Sequence, residues 1–173
     1  ANHKSCIHLF PSFQHHVFTA IFDVLVISLL IARPGNSQML PMPCKIALLG
    51  KRPYKEVWEL QQNLQRDLIS GDSTDEVLIL CEHNHVITLG KSTNRENLLA
   101  DSTKLKELGV SVFDIERGGD ITYHGPGQLV GYPILDLKKR KCDVHWYMRT
   151  LEKILIDSLR EFGIDALSIE GKT

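Results

Sequence analysis

Twelve consecutive residues constrain this chain more than any others: Arg117-Gly118-Gly119-Asp120-Ile121-Thr122-Tyr123-His124-Gly125-Pro126-Gly127-Gln128. Four glycines fall within ten positions, flanked by apolar runs of strand character. Glycine permits positive φ and lets a second chain or a ligand approach the backbone closely. Pro126 between Gly125 and Gly127 stiffens one turn. The segment therefore reads as a shaped wall with exposed N–H groups. Within it Ile121 and Tyr123 alternate with Thr122 and His124, as expected for a short strand with one apolar and one polar face. Arg117 is suited to pairing with a carboxylate or phosphate. His124 is able to donate, accept or shuttle a proton, and Thr122 and Gln128 add polar contacts. Composition alone also fits a glycine-rich hairpin with a surface histidine.

The segment is neither a dinucleotide fingerprint nor a Walker loop, because GxGxxG is absent and no GK[ST] follows a GxxxxG. Gly171-Lys172-Thr173 spells GKT, but Ala166 stands where a phosphate loop needs its first glycine. Around it the pattern predicts an edge strand at Lys45–Leu49 and a helix over Tyr54–Ser70 stopped by Gly71. Strands follow at Val77–Cys81, buried, and at Val86–Leu89. A short helix at Thr103–Leu108 precedes a strand at Val110–Glu116 with Phe113 and Ile115 inward. Leu129–Leu137 reads as a central strand, since it is apolar almost throughout. Asp143 is a suitable N-cap for a helix reaching Phe162, with a buried stripe of Val144, Tyr147, Leu151, Ile154, Leu155, Leu159 and Phe162. Gly163 ends it, and Ala166–Ile169 begins a further strand. This order predicts an α/β or α+β domain: a mixed sheet with flanking helices.

Of the 173 residues, 43% are hydrophobic and 24% charged, enough for one ordinary domain with a real core. Twenty Lys and Arg against 21 Asp and Glu leave a net charge of −1, which gives no electrostatic footprint for nucleic acid. Lys138-Lys139-Arg140-Lys141 is a local exception, either a solvated turn or a docking site for an acidic partner. Cys6, Cys44, Cys81 and Cys142 are scattered, without the spacing of a disulfide framework or a zinc site. Cys81 reads as a core residue and Cys142 as a surface one with basic neighbours. His83 and His85 would project from one face of a strand, but no third ligand is fixed by spacing, so a metal is not expected. Trp58 and Trp146 read as core or surface anchors of their helices rather than cofactor stacks.

Residues 1–42 differ from the rest. Val17–Ala32 is an apolar run of 16 residues in which only Asp23 is charged, short of the roughly 20 residues that span a bilayer. Only Lys4 precedes it, so it lacks the basic region of a signal peptide, and Arg33 is the sole arginine before Arg52. A weak signal anchor, a buried helix, or sequence upstream of the true start remain. We favour the last, because Met39 and Met42 stand just before the first patterned segment. A chain starting there needs no export signal, so a cytoplasmic protein without stable membrane insertion is expected.

RGGDITYHGPGQLVGYP, residues 117–133, resembles the signature of octanoyl (lipoyl) transferases of the lipoate–protein ligase B family, RGG[DE]xT[FYW]HGPGQxxxYP. Glu82-His83-Asn84-His85-Val86-Ile87-Thr88-Leu89-Gly90 is similar to that family's EHxxVxTxG stretch. The spacing of the two blocks fits, and so does the first helix with Tyr54 and Leu60-Gln61. The resemblance covers about residues 45–173. It implies a biotin/lipoate protein ligase-like catalytic domain over 43–173, with 1–42 an extension outside the family. It implies an acyltransferase of lipoate biosynthesis that needs no cofactor. The octanoyl group would pass from octanoyl–acyl carrier protein to a lysine of a lipoyl domain, in 2-oxoacid dehydrogenases and the glycine cleavage H protein. The group would travel on a cysteine of the enzyme, whose thiolate a nearby lysine favours. By the same resemblance Arg117, Gly118, Gly119, Asp120, Ile121, Thr122, Tyr123 and His124 line the substrate site, with Ile121 and Tyr123 as walls for the alkyl chain. Each buried CH₂ is worth about 0.8 kcal/mol.

In the family the catalytic lysine lies in a GxxKIA-like strand after a GKTGVWV-like segment, and the cysteine in a PCG motif further on. This sequence ends at Thr173, inside the first of those segments. Lys172 is not the catalytic lysine, and no cysteine here sits in a PCG context. The expectation is a domain incomplete at its C-terminus, inactive by itself, with exposed strand edges. Two other functions stay open. An ATP-dependent lipoate or biotin ligase shares the fold but carries an RRxSGGGAVYHD-like or GRGRxGR-like loop. A non-catalytic acyl- or carrier-binding module is the third.

Overall fold

The computed structural model describes residues 44–170, so the apolar run Val17–Ala32, Met39, Met42 and the terminal Gly171-Lys172-Thr173 lie outside the described residues. The described residues fall into two compact units, Lys45–Leu135 and one to which residues 136–170 belong.

The larger unit begins with β1 (Cys44–Arg52) and α1 (Tyr54–Ser70). Gly71 closes α1 in the left-handed region at φ 84°, where glycine has no Cβ penalty. Val57, Leu60 and Leu64, three and four residues apart, form the apolar stripe of α1. They pack on Val77, Ile79 and Cys81 of β2 (Glu76–His83), joined by Ala47 and Leu49 of β1 and by Tyr132. The alternate residues Leu78 and Leu80 are buried as well. A strand apolar on both faces belongs inside a sheet, and β2 does run between β1 and β6 (Val130–Ile134). Its register with β6 is antiparallel, Val77 opposite Ile134 and Cys81 opposite Val130. The expectation that Leu129–Leu137 forms the central strand is thus corrected. β6 ends the described strand order, and Pro133 within it has no N–H to donate, a residue suited to an edge.

A second sheet has the order β4-β3-β5. β3 (Val86–Leu89) pairs parallel with β4 (Ser111–Asp114) and antiparallel with β5 (Ile121–His124). The helix α2 (Ser102–Glu107) makes the parallel return possible, capped by the Asp101 side chain, which accepts from the Lys104 N–H at 2.8 Å. β4 is shorter than the predicted Val110–Glu116; Phe113 within it and Ile115 just beyond it are partly buried, as the alternation requires. Strands and helices combine in an α/β fold as predicted, but the strands form two three-stranded sheets rather than one.

In the second unit Asp143 caps α3 (Val144–Arg160) by accepting from the Trp146 N–H at 2.9 Å. The inward stripe differs from the predicted one: Ile154 and Ser158 are buried, whereas Val144 and Leu155 are exposed. Ser158 is tolerated there because its hydroxyl donates to the Ile154 carbonyl at 2.7 Å. Residues 164–169 form no strand, contrary to expectation, and Leu167 and Ile169 are exposed. Among the described residues no helix is long and apolar enough to cross a membrane.

Candidate active site

β4 and β5 are consecutive in sequence but not neighbours in space, because β3 lies between them. The glycine-rich segment is therefore a crossover rather than a hairpin, and it passes over the end of β3. The chain leaving β3 receives it closely. The N–H groups of Gly90, Lys91 and Ser92 donate to the carbonyls of Asp120 (3.4 Å), Arg117 (2.9 Å) and Gly119 (3.2 Å). A Cβ at Gly90 would stand 2.3 Å from the Gly119 carbonyl oxygen, so only glycine fits there. Here the loop turns carbonyls, not N–H groups, toward its neighbour. Gly119 sits at φ 88°, a left-handed conformation that glycine adopts without strain.

Arg117 folds back over the same loop. Its guanidinium donates to the carbonyls of Gly118 (2.7 Å) and Asp120 (2.9 Å) and to the Thr122 hydroxyl (2.7 Å). No carboxylate partner is involved in these bonds. Asp120 instead accepts from the Asn97 side-chain amide at 2.5 Å, tying the loop to the 3₁₀ turn Arg95–Asn97.

Register partners share a face of a sheet and adjacent residues take opposite faces. Phe113, Thr88 and Thr122 lie in one row, with His124 on the same face. That face meets the aromatic start of α1. Phe113 lies 5.1 Å from Tyr54 and 6.3 Å from Trp58, ring centre to ring centre. His124 meets the ring of His83 at 6.1 Å, and Tyr54 meets His83 edge-on at 5.3 Å. His83 is fully buried. One ring nitrogen, Nδ1, bonds the Arg52 carbonyl at 2.9 Å, and the other, Nε2, bonds the Tyr132 hydroxyl at 2.8 Å. Burial pushes the pKa of His83 down, the Arg52 carbonyl opposes that shift, and neighbouring His124 adds to it. The Tyr132 hydroxyl is pushed far up, chiefly by burial and then by Tyr54 and Cys81. Burial also raises Tyr54, with Arg117 pulling the other way. His83, Tyr54 and Tyr132 are thereby favoured in their neutral forms, with the Arg117 cation near Tyr54.

His124 is held from two directions. Its Nδ1 contacts Gln128 Oε1 at 2.7 Å. The Gly127 N–H, at φ 85°, donates to the Glu82 carboxylate at 3.1 Å and anchors the Gly125-Pro126-Gly127 turn.

Ile121 and Tyr123 occupy the opposite face. Tyr123 is half-exposed, 50%, and bonds His85 Nδ1 at 2.5 Å with its ring stacked on the imidazole. A bend at Asn84-His85 ends β2, so His83 and His85 do not share a face as the HxH spacing predicts. Among the described residues no three His, Cys, Asp or Glu side chains are arranged to hold a metal. Cys81 is fully buried beside His83, with its thiol pushed up to about 11 by burial and by Glu82.

Tyr54, Tyr132 and Glu82 belong to this constellation without standing out in the sequence. Tyr54 enters as a helix-face residue and as part of the first helix's resemblance, but helical periodicity does not show that its ring meets His83 and Phe113. Tyr132 and Glu82 sit inside the two matched blocks, which was the available signal.

The Lipoyl protein ligase A/B catalytic domain family matches residues 53–172. The chain belongs to this family. Curated relatives point to its octanoyltransferase branch. The octanoyltransferase of Flavobacterium johnsoniae is 45% identical over 135 residues, spanning 72% of this chain and 58% of the relative. That of Solibacter usitatus is 49% identical over 123 residues, spanning 71% and 56%. The chain thus spans little more than half the length of the curated relatives it matches. Among solved structures, the putative lipoate protein ligase Ta0514 of T. acidophilum superposes with a TM-score of 0.54 at 21% identity, covering 75% of this chain and 52% of that one. The likeness shows the same fold.

Proposed function

We propose that this chain supplies the substrate-binding part of an octanoyltransferase, which moves an octanoyl group from acyl carrier protein to a lysine of a lipoyl domain. The observation that carries the reading is the convergence of Arg117, Thr122 and His124 with Tyr54, His83 and Tyr132 on one face of the second sheet. These are the polar residues of both matched sequence blocks together with the start of α1. The acyl tail then lies along Tyr54, Trp58 and Phe113. At about 0.8 kcal/mol per buried CH₂ its seven carbons contribute several kcal/mol. Of the residues expected to line the site, Gly118, Gly119 and Asp120 shape the loop. Ile121 and Tyr123, on the opposite face, support the strand from behind rather than contact the tail.

The reaction divides one acyl transfer into two through a thioester on an enzyme cysteine. Cys81 is a poor candidate for that thiol: it is sealed in the core and its pKa is raised. In this reading the thiol and its partner lysine come from the part of the relatives' length that this chain does not span. On the same reading the catalytic domain takes in residues 43–173, with 1–42 outside it, in a cytoplasmic protein. The relatives' names support the reaction, and the lipoyl-domain acceptor follows from it.

The test uses the full-length protein with octanoyl–acyl carrier protein and a lipoyl domain, followed by intact-mass spectrometry. Octanoylation of the lipoyl domain without ATP is the expected result. Modification only from free octanoate plus ATP would make the protein a ligase instead. Octanoyl–carrier binding with no transfer would make it an acyl-binding module.

A further inference from the structure

The hydrogen bonds at His83 have a direction that the sequence does not announce. The Arg52 carbonyl can only accept, so the Nδ1 bound to it at 2.9 Å carries the imidazole proton. A neutral ring protonated at Nδ1 has its lone pair at Nε2. Two groups reach Nε2, the Tyr132 hydroxyl at 2.8 Å and the Cys81 thiol, a weak donor, at 3.6 Å, and the hydroxyl at the shorter distance must then donate. Its one proton is spent inside the protein, the Gln61 side chain already hydrogen-bonds the same oxygen, and what remains for anything else is lone-pair capacity. Backbone geometry sets this order, since the carbonyl that starts it closes β1 immediately before α1.

We propose that His83 is a positioning residue whose fixed tautomer orients the Tyr132 hydroxyl, so that Tyr132 meets a ligand as a hydrogen-bond acceptor only. A group docking on Tyr132 must bring its own N–H or O–H, and an anionic oxygen finds no donor there. Full burial of His83 keeps the ring neutral, because a charged imidazole would lose its water and would need a second acceptor in place of the Tyr132 proton. The titratable and charged groups facing it are Tyr54, Cys81, His124 and Tyr132, with Arg117 beyond Tyr54. None of these is a carboxylate that would favour the charged form. The tautomer stands on geometry alone, whereas its consequence for ligands rests on the function proposed above.

Two measurements separate these parts. In the ¹⁵N-histidine-labelled chain, long-range ¹H–¹⁵N spectra at pH 7 should show His83 with a pyrrole-like Nδ1 and a pyridine-like Nε2. In Tyr132→Phe the Nε2 resonance should move while Nδ1 stays protonated. A proton on Nε2, a doubly protonated ring, or an Nε2 resonance indifferent to Tyr132→Phe would overturn the proposal. The second measurement titrates n-octylamine, a cation at pH 7, and octanoate against both proteins. Tyr132→Phe should weaken octylammonium about five- to tenfold, as for one hydrogen bond to a charged donor, and octanoate less than twofold. Equal loss for both would overturn the acceptor role. If neither probe binds the unaltered chain, the assignment of this face as the binding site fails and the acceptor role with it, while the tautomer result stands by itself.

Discussion

Replacing Gly90 by alanine tests how tightly the crossover is seated. The new Cβ would lie 2.3 Å from the Gly119 carbonyl oxygen, 2.9 Å from that of Arg117 and 3.1 Å from the Gly119 carbonyl carbon. All three are backbone atoms, so no side chain can swing aside. The first contact must open by close to an ångström, which lifts the loop and stretches the bonds from Gly90, Lys91 and Ser92. Overpacking of this kind costs about 1–3 kcal/mol. Each lost backbone bond adds about 1 kcal/mol, less where water can replace it. A total of roughly 2–4 kcal/mol is expected, read as a lower midpoint in urea with an unchanged slope. Gly118 is the control: a Cβ there meets nothing within 4 Å and its φ is not positive, so Gly118→Ala should change stability by under about 0.5 kcal/mol. Equal midpoints for Gly90→Ala and Gly118→Ala would refute the seating.

Ile79, fully buried between α1 and the sheet, should cost about 2–5 kcal/mol on truncation to alanine, measured by the same unfolding curve. Acidification should weaken the fold through His83. Its folded pKa lies below the ordinary 6.5, so below that pH the unfolded chain binds the proton that the folded chain refuses. The stabilising contribution, complete above pH 6.5, should decline by at most about 1.4 kcal/mol per pH unit until the folded ring titrates. Subtracting the pH profile of His83→Gln isolates that slope. Cys81, with its thiol near 11, should resist iodoacetamide at pH 8 in the folded chain, since only about one thiol in a thousand is ionised. The exposed Cys142 should be alkylated under the same conditions, and mass mapping distinguishes the two.

Local signals in the sequence are strong where one residue settles a boundary. Gly71 ends α1 and Asp143 begins α3 because each closes a helix end by its own chemistry. The uninterrupted apolar run Val77–Cys81 announces a buried strand because it leaves neither face polar. Pairing is less legible, because it depends on what lies alongside. Leu129–Leu137 is as apolar as β2, yet β6 takes the last place in the strand order of the described residues, where Pro133 is tolerated. Strand alternation separates Thr122 and His124 from Ile121 and Tyr123, but not which pair faces α1. That choice follows from the crossover over β3, a non-local feature. It leaves Tyr123 half-exposed. The spacing of His83 and His85 assumes an unbroken strand, and the bend at Asn84-His85 removes that premise.

A photoreactive octanoyl probe, carrying a terminal diazirine, tests the central assignment most directly. After irradiation with the full-length protein and proteolysis, labelled peptides should contain Tyr54, Trp58 or Phe113 and the segment Thr122–His124. Competition by octanoyl–acyl carrier protein should erase the label. Labelling confined to the opposite face, at Ile87 or Tyr123, or label that the carrier does not displace, would contradict the account.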